Sequence, residues 1–247
     1  PPRSTLSPSS AASDVYKRQA VYGQSNEIVG GHIWRNGGYG LVVSASHNKA
    51  VGVRCDFNSL TGLGIVSTTN VTVIGVHCYN NNQSNGDYHG IELYNSKYCV
   101  IVACECYDSQ DTKTQKYGIK EKGTTCDFNI FEDNVVTPNA EGGISYYGAN
   151  TIVRRNIGYT TENSGTATFS GDGATTDFLI GDHGLPVTDP NKIVVKVTPI
   201  SQDAINASPC VGYVDPADNT KIRVKFASAP VSGSNNVKII WEAQMVS

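Results

Sequence analysis

Five glycine–aliphatic pairs recur in the first 150 residues of the chain, as Gly40-Leu41, Gly64-Ile65, Gly90-Ile91, Gly118-Ile119 and Gly143-Ile144. Their separations of 24, 26, 28 and 25 residues mark an internal repeat. Repeats of this length build stacked architectures, because one unit alone cannot bury its own apolar face. The blades of a β-propeller need about 40 to 45 residues, which is too long for this spacing.

A second apolar series runs in phase with the glycine pairs. Its members are Ile28, Ala50, Val73, Ile101, Phe128 and Ile152. The segments between the two series are short, rich in Asn, Gly, Ser and Asp, and lack a helical 3.6-residue period, which excludes helical solenoids. The sequence therefore predicts a short right-handed parallel β-helix of about six coils over residues 20–161. The aliphatic members of the five pairs are expected to form one interior column.

Composition and charge restrict the possible partners. The chain has 247 residues, 39% of them hydrophobic, and a formal net charge of −3 without charged runs. No electrostatic surface for nucleic acid is expected, and no apolar run is long enough for membrane insertion. The seven cysteines lack CxxC or Cys/His spacing, and Cys55, Cys78 and Cys106 fall at one level of successive coils. We expect buried free thiols, with no metal site and no cofactor.

The first nineteen residues, PPRSTLSPSSAASDVYKRQ, have neither the apolar centre of a signal peptide nor a strand period. The ending SDVYKRQ resembles a translated adaptor remnant of the kind seen in open reading frames from environmental assemblies. Residues 1–19 are therefore expected to be a non-native or disordered leader, with the native chain continuing upstream.

Two lengthened loops point to a binding surface. The interval from the second series to the next glycine pair grows from 12 and 14 residues to 17 in the third and fourth coils. The segments 80–88 and 108–116 should therefore lie side by side, and raised loops on a rigid scaffold often carry function. Glu92 and Lys120 follow the glycine pairs on adjacent strands, so they should be stacked neighbours that form an ordinary exposed ion pair.

Residues of these loops and strands could share one face of the rod. The candidate ligand-binding residues are Asp87, Tyr88, His89, Glu92, Asp108, Asp111, Lys116 and Lys120. A pair of carboxylates could hydrolyse a glycosidic bond, whereas a lysine or histidine near a bound uronate could abstract a proton as in a lyase. Both alternatives stay open, and so does a site that binds without catalysis. The catalytic residues are not identified by the sequence.

The repeat ends after Tyr159, and the remaining residues, 162–247, alternate in the manner of longer strands. IVVKV (193–197), IRVKF (222–226) and VKIIW (237–241) are separated by proline and glycine turns, which is typical of an antiparallel β-sandwich. Trp241 is expected in its core.

With these elements the chain resembles phage tail-spike and related pectin-lyase-like proteins. The C-terminal segments ATFSGDGATTDFLIGDHGLP (167–186), KIVVKVTPISQDA (192–204), IRVKFASAP (222–230) and SGSNNVKIIWEAQ (232–244) resemble a small module that follows β-helices in viral tail proteins. The resemblance implies a homotrimeric spike of a virion tail that recognises, and possibly degrades, a host cell-surface polysaccharide. The alternative is a secreted polysaccharide lyase or glycoside hydrolase of the same superfamily. No calcium cluster with an arginine base is present in the sequence, so no catalytic residue is transferred from the family.

Overall fold

The computed structural model describes residues 19–187 and 189–246. Most of the expected leader, residues 1–18, lies outside the described residues. Gln19, the last residue of that leader, already begins the first strand. The chain divides into two compact units between Tyr159 and Thr160.

The first unit is built from strands of three to six residues. They are β1 (Gln19–Val21), β2 (Glu27–Val29), β3 (His32–Trp34), β4 (Leu41–Val43), β5 (Lys49–Val51), β6 (Arg54–Asp56), β7 (Leu63–Val66), β8 (Thr72–Ile74), β9 (His77–Tyr79), β10 (Ile91–Tyr94), β11 (Val100–Val102), β12 (Glu105–Tyr107), β13 (Tyr117–Lys122), β14 (Ile130–Glu132), β15 (Gly142–Ser145) and β16 (Ile152–Arg154).

Three parallel sheets form from these strands. Sheet A has the order β1-β4-β7-β10-β13-β15, sheet B β16-β14-β11-β8-β5-β2, and sheet C β12-β9-β6-β3. Successive strands of the chain belong to different sheets, so each coil contributes one strand to a sheet and then returns one level further along. The predicted parallel β-helix is confirmed.

Residues in the left-handed backbone region turn the chain from sheet B towards sheet C. The first three such corners are Gly30, Gly52 and Gly75, with φ between 59° and 66°. Glycine takes this conformation without steric cost. Ala103 and Asp133 occupy the same corner in the next coils with φ of 54° and 55°, which shows that the stacked neighbours impose the turn.

The interior column of the glycine pairs is confirmed with one correction. Leu41, Leu63, Ile91, Ile119 and Ile144 are successive register partners, and all are buried. Ile65 was expected in this column but stacks between Val43 and Leu93 in the next one. Side chains alternate with a period of two along a strand, so a slip by two residues leaves Ile65 facing inward.

Two residues of the second apolar series, Phe128 and Ile152, were also predicted wrongly to face the interior. Ile101 pairs with Phe131 rather than with Phe128, which is 43% exposed at a corner. Phe131 pairs in turn with Val153, while the adjacent Ile152 faces outward. The earlier members, from Ile28 to Ile101, stack as expected.

The glycine before each residue of the corrected column, with Gly62 before Leu63 in place of Gly64, is required by close packing between coils. A Cβ on Gly62 would lie 2.8 Å from the carbonyl oxygen of Gly90, and a Cβ on Gly90 would lie 2.6 Å from that of Gly118. Real Cβ atoms do not approach backbone oxygens this closely, so any side chain here would push two coils apart.

Stacked side-chain amides line the turn from sheet C to sheet A. Asn58 Nδ2 donates to Asn81 Oδ1 at 2.9 Å, Asn81 Nδ2 to Gln115 Oε1 at 3.1 Å, and Gln115 Nε2 to Asn139 Oδ1 at 2.8 Å. Asn36 joins the series through its backbone amide, which donates to Asn58 Oδ1 at 3.1 Å. We call these five residues the amide ladder. It satisfies polar groups that the turn buries, with the exception of Asn36 Nδ2, which is buried without a partner.

Glu121 is a fully buried carboxylate inside the later coils. Its Oε1 accepts from Asn129 Nδ2 and Thr151 Oγ1, each at 2.7 Å. Its Oε2 accepts from the backbone amides of Tyr147 and Gly148, each at 2.8 Å. Four donors from two turns, 123–129 and 146–151, therefore converge on this side chain, which meets the requirement that a buried charge be hydrogen-bonded.

All seven cysteines are free thiols, and six of them are buried. Cys55, Cys78 and Cys106 are register partners in sheet C, as the sequence predicts. Burial, the largest influence, raises the pKa of Cys78 well above its ordinary value. These thiols therefore act as small apolar side chains of the core.

The second unit contains two antiparallel sheets. Its elements are β17 (Glu162–Gly171), β18 (Asp177–Asp182), a 3₁₀ turn (Pro190–Lys192), β19 (Ile193–Pro199), α1 (Gln202–Asn206), β20 (Cys210–Val214), β21 (Lys221–Phe226) and β22 (Gly233–Met245). The sheets have the orders β17-β22-β19 and β18-β21-β20. Val224 and Phe226 of one sheet share a core with Val237 and Ile239 of the other. Trp241 is buried, as predicted.

Candidate functional site

Sheet A carries a row of polar and aromatic side chains on its outer face. Glu92 pairs in register with Gly64 on one side and Lys120 on the other, and Lys120 pairs with Ser145. A second row is formed by the residue before each glycine of the corrected column, Gly40, Gly62, Gly90 and Gly118. Its members are Tyr39, Thr61, His89 and Tyr117. The backbone amides of Gly40, Gly62 and Gly90 donate to the carbonyls of Thr61, His89 and Tyr117, respectively. These bonds stack the four residues above one another in successive coils.

The two lengthened loops lie side by side, as expected. Asn80 Nδ2 in the first loop donates to Ser109 Oγ in the second at 3.0 Å, and Asn82 Nδ2 donates to the carbonyl of Thr114 at 2.6 Å. The first loop ends at Tyr88, next to the outer face of sheet A. The sequence therefore predicts the position of both loops correctly.

Glu92 is buried and does not form the exposed ion pair expected with Lys120. Its side chain is 4% exposed, and it accepts from the hydroxyls of Tyr39 at 3.4 Å and Thr61 at 3.3 Å. The nearest lysine is Lys122, whose Nζ lies 3.9 Å from Oε2. Burial is the largest influence on this carboxyl and raises its pKa. The position next to Gly64 explains the burial, because the ring of Tyr39 lies above that glycine.

His89 is fully buried, and neither of its ring nitrogens has a hydrogen-bond partner. Nε2 lies 3.7 Å from Oδ1 of Asp87 and 3.8 Å from Oε2 of Glu92. The ring packs against Tyr117 with centroids 5.8 Å apart. Burial lowers the pKa of His89 to about 3, so the imidazole is neutral at ordinary pH. A buried polar ring without a partner next to two carboxylates is unusual.

Asp87 and Lys122 complete this group at the surface. Lys122 Nζ lies 3.1 Å from Asp87 Oδ2, and the side chain of Asp87 is 65% exposed. Partial burial would raise the pKa of Asp87, but the hydrogen bond and charge of Lys122 outweigh it and lower that pKa. The set formed by Tyr39, Thr61, Asp87, His89, Glu92 and Lys122 is called the Glu92 cluster below.

Lys120 lies one coil further along in an aromatic surrounding. Its Nζ donates to Ser145 Oγ at 2.7 Å and lies 4.6 Å from the ring centre of Tyr117 and 5.3 Å from that of Tyr147. A cation over aromatic faces is held in place by the ring quadrupoles. The ammonium of Lys120 therefore extends the Glu92 cluster along the outer face of sheet A.

Three candidate residues have other surroundings. Asp108 is fully buried and accepts from the backbone amides of Gln110, Thr114 and Gln115 at 2.7 to 3.0 Å, so it shapes its own loop. Lys116 pairs with Glu141 at 2.6 Å. Asp111 is exposed in the second loop.

The sequence predicts Asp87, Tyr88, His89 and Glu92 in one site but not Lys122, Tyr39, Thr61 and Tyr117. Three of these, Tyr39, Thr61 and Tyr117, precede glycines of the interior column, as His89 does. That pattern is visible only when Gly62, and not Gly64, is taken as the glycine of its coil. Lys122 faces outward two residues after Lys120, at the register position of Tyr94.

The cluster offers acid–base and hydrogen-bonding groups. Two carboxylates, one buried and one exposed, share the lysine and the neutral histidine. In the described part of the chain, no group of three or more His, Cys, Asp or Glu side chains could hold a metal ion. No helix within residues 19–187 and 189–246 could cross a membrane.

Comparison with known proteins adds the family. No curated protein sequence matches the chain. A solved structure of the mannuronan C-5 epimerase AlgE6 A-module from Azotobacter vinelandii matches at 15% identity and a TM-score of 0.48, covering 57% of this chain and 41% of the epimerase chain.

Two phage proteins match over more of this chain. The Dettilon tailspike matches at 12% identity and a TM-score of 0.43, covering 89% of this chain and 56% of its own. The Gp54 tailspike of Acinetobacter baumannii bacteriophage AP22, solved with A. baumannii capsular saccharide, matches at 10% identity and a TM-score of 0.43. The coverage is 90% of this chain and 51% of Gp54. The chain thus spans about two fifths to three fifths of these proteins, and identities this low say nothing about shared function.

The family model described as "right handed beta helix region" matches residues 20–178, which is well over half of the chain. That range contains all sixteen strands of sheets A, B and C, apart from Gln19 at the first end of β1. The chain belongs to the right-handed β-helix family.

Proposed function

We propose that this protein binds a cell-surface polysaccharide along the outer face of sheet A. The observation that carries the proposal is the continuous row of tyrosines, carboxylates and lysines from Tyr39 to Tyr147, beside two adjoining loops. Aromatic faces pack against the apolar faces of sugar rings, while charged groups bond sugar hydroxyls or a uronate. Parallel coils repeat these groups about 4.8 Å apart, which suits an extended chain of sugars.

The ligand would contact Asp87, Tyr88, Lys120 and Lys122 first, because these side chains are at least partly exposed. Tyr88 lies edge-on to Tyr39 with ring centroids 6.2 Å apart. A sugar ring that reaches this pair also meets the ammonium of Lys122, which lies 6.0 Å from the Tyr88 ring. The buried Asp108 is left out of the proposed contact surface.

A glycan array of bacterial capsular polysaccharides and mannuronan tests the proposal. The protein should retain at least one polysaccharide, and Tyr88→Ala and Lys120→Gln should each weaken that binding at least tenfold, which is about 1.4 kcal/mol. Tyr98→Ala is the matched control, since Tyr98 is an exposed aromatic that stacks on Phe128 at another corner. Equal loss in the control, or full binding by both site variants, contradicts this location.

The finer proposal places the protein in a virion tail as a homotrimeric spike or fibre, and the alternative is a secreted protein. Support comes from the C-terminal segments that resemble a module of viral tail proteins. Light scattering at micromolar concentration should give three times the 26.4-kDa chain mass. A monomeric mass would count against the spike and favour the secreted alternative.

A further inference from the structure

Sheet B differs from the other two sheets in the side chains that it turns to the outside. Every second residue of its strands fills the interior, so the residues on either side face outward in two rows. One row contains Val29, Val51, Ile74 and Val102, which are successive register partners. The other row contains Val100, Ile130 and Ile152, on β11, β14 and β16. We call these seven residues the aliphatic face.

The aliphatic face lies at the surface of the part of the chain that the structure describes. Val29 is 67% exposed and Ile152 is 39% exposed, and the other five residues are partly exposed. None of the seven belongs to a hydrophobic core of the described residues. Sheet C, by contrast, presents charged and aromatic side chains such as Arg54 and Tyr107 at its outward positions. A continuous exposed aliphatic stripe is typical of a surface that a partner covers.

The composition of the aliphatic face favours a protein partner. Its valines and isoleucines offer no hydrogen-bonding group to a sugar, and their β-branched side chains lose little freedom when they are covered. The charges at its two ends are balanced within the chain, because Lys49 lies 3.5 Å from Glu27 and Arg154 lies 2.8 Å from Glu132. The face therefore has no basic excess that would attract an anionic membrane, and it does not repel its own copy.

The spacing of the aliphatic face indicates which protein fits it. Sheet B has six strands, which at about 4.8 Å apart extend over about 24 Å of the rod. A partner that contacts the whole length needs side chains with the same repeat, and a β-helix of the same pitch has them. A second copy of this chain has that pitch and carries aliphatic side chains at the same levels.

We infer that the outer face of sheet B is the surface against which another copy of this chain packs. The inference rests on the homotrimer of the proposed function, and it goes beyond that proposal by naming the contact surface and its residues. Copies related by a rotation axis along the rod run parallel and stand level with one another. One outward row then lies opposite the other row of the neighbour, so Val100 meets Val102 of the partner subunit.

This arrangement keeps like charges apart at both ends of the face. Lys49 lies in the row of Val100, and Arg154 lies in the row of Val102. With opposite rows level, Lys49 lies opposite Val51 of the partner subunit and Arg154 lies opposite Ile152 of the partner subunit. Each charge therefore meets an aliphatic side chain and keeps the ion pair of its own chain.

Light scattering over a concentration series tests the contact surface. Ile74→Lys and Val102→Lys should each raise the concentration at which the complex dissociates at least about a hundredfold, because each would bury an ammonium without a partner. Val102→Thr keeps the shape of valine and should give a smaller increase. Val211→Lys is the matched control, since Val211 is an aliphatic strand residue of the second unit and is 58% exposed. Circular dichroism establishes that the variants fold.

A short bismaleimide cross-linker tests the direction of the copies. Val29→Cys and Ile152→Cys place a thiol at either end of the aliphatic face, about 24 Å apart. Parallel copies should cross-link in each variant alone. The parent is the control, because six of its seven thiols are buried and Cys210 is half-buried. Cross-links that form only in a mixture of the two variants overturn the parallel arrangement.

The outcomes separate this inference from the proposed function. If Ile74→Lys and Val102→Lys associate as well as a trimeric parent, the inference is overturned and the homotrimer stands on another surface. Equal dissociation of Val211→Lys also overturns the inference, because the effect would not depend on the position of the charge. A monomeric parent overturns both the inference and the homotrimer, while the proposed binding of a polysaccharide by sheet A is unaffected.

Discussion

Replacing Glu121 by alanine should destabilise the later coils of the β-helix by at least about 4 kcal/mol. The substitution removes both carboxylate oxygens, which accept from four donors: the side chains of Asn129 and Thr151 and the backbone amides of Tyr147 and Gly148. A buried donor left without a partner costs about 1 to 3 kcal/mol. The lower end of that range for four donors gives the stated value, a large fraction of the roughly 5 to 15 kcal/mol of a typical domain.

Glu121→Gln should cost less, about 1.5 to 3 kcal/mol. One amide oxygen can still accept from Tyr147 and Gly148, and the hydroxyl of Thr151 can rotate to accept from the new amide group. The variant then loses only the bond from Asn129 Nδ2, and a hydrogen bond to a charged group contributes about 1.5 to 3 kcal/mol to stability. The order of stability should therefore be parent, then the glutamine variant, then the alanine variant.

Two measurements test this order. Urea unfolding followed by circular dichroism gives the free energies, and hydrogen exchange of the Tyr147 and Gly148 amides reports the local opening. Glu105→Gln, on the exposed outer face of sheet C, should change stability by less than about 0.5 kcal/mol. A loss below about 1 kcal/mol in Glu121→Ala, with unchanged amide exchange, refutes the argument that the carboxylate holds these turns.

Three further perturbations test the interior column, the amide ladder and the Glu92 cluster. Ile91→Asp should abolish the cooperative unfolding transition of the β-helix, because an unpaired charge would enter the interior column at a cost of several kcal/mol; a native melting curve would contradict this. Asn81→Leu should lower the urea midpoint by the equivalent of about 2 kcal/mol or more, since the backbone amide of Asn58 and the carbonyl of Cys55 lose their partner; an unchanged midpoint would show that the amide ladder adds nothing. Burial lowers the pKa of His89 to about 3, so the unfolded chain binds the proton first and stability should fall below pH 6.5, by about 2 kcal/mol at pH 5. Glu92 acts in the opposite sense, as its raised pKa gives stability that is lost as pH rises, so the difference between the parent and His89→Asn is the quantity to measure.

The coil repeat could be predicted from sequence because glycine and aliphatic residues recur for a physical reason, the close approach of backbones between coils. The register could not be fixed within two residues at Ile65, since TGLGIV offers two glycines and both choices place an aliphatic side chain inside. Phe128 was misplaced because a corner residue with positive φ breaks the alternation. Apolar pattern alone does not reveal such corners.

The candidate site was predicted only in part, because the sequence shows the lengths of the loops but not the contacts between coils. The loops could be placed because their extra length is visible in the spacing, and Asp87, Tyr88, His89 and Glu92 follow directly from the first loop. Burial of Glu92 could not be predicted, since it depends on the ring of Tyr39, 53 residues earlier, folding over Gly64. Contacts between coils of different loop length are not encoded in local sequence.

The amide ladder has a consequence for how the rod tolerates new sequence. In one coil Gly90 lies nine residues after Asn81, so the inserted segment follows the ladder residue. In the next coil the insertion precedes Gln115, which lies only three residues before Gly118. The series of amide bonds nevertheless continues from Asn81 to Gln115, whose extra methylene keeps its amide within reach. The two insertions, within 82–88 and 109–114, therefore lie on opposite sides of the ladder, and the register of the sheets is the same across both coils. The rod is in this sense a fixed frame on which recognition loops can diversify independently of the fold.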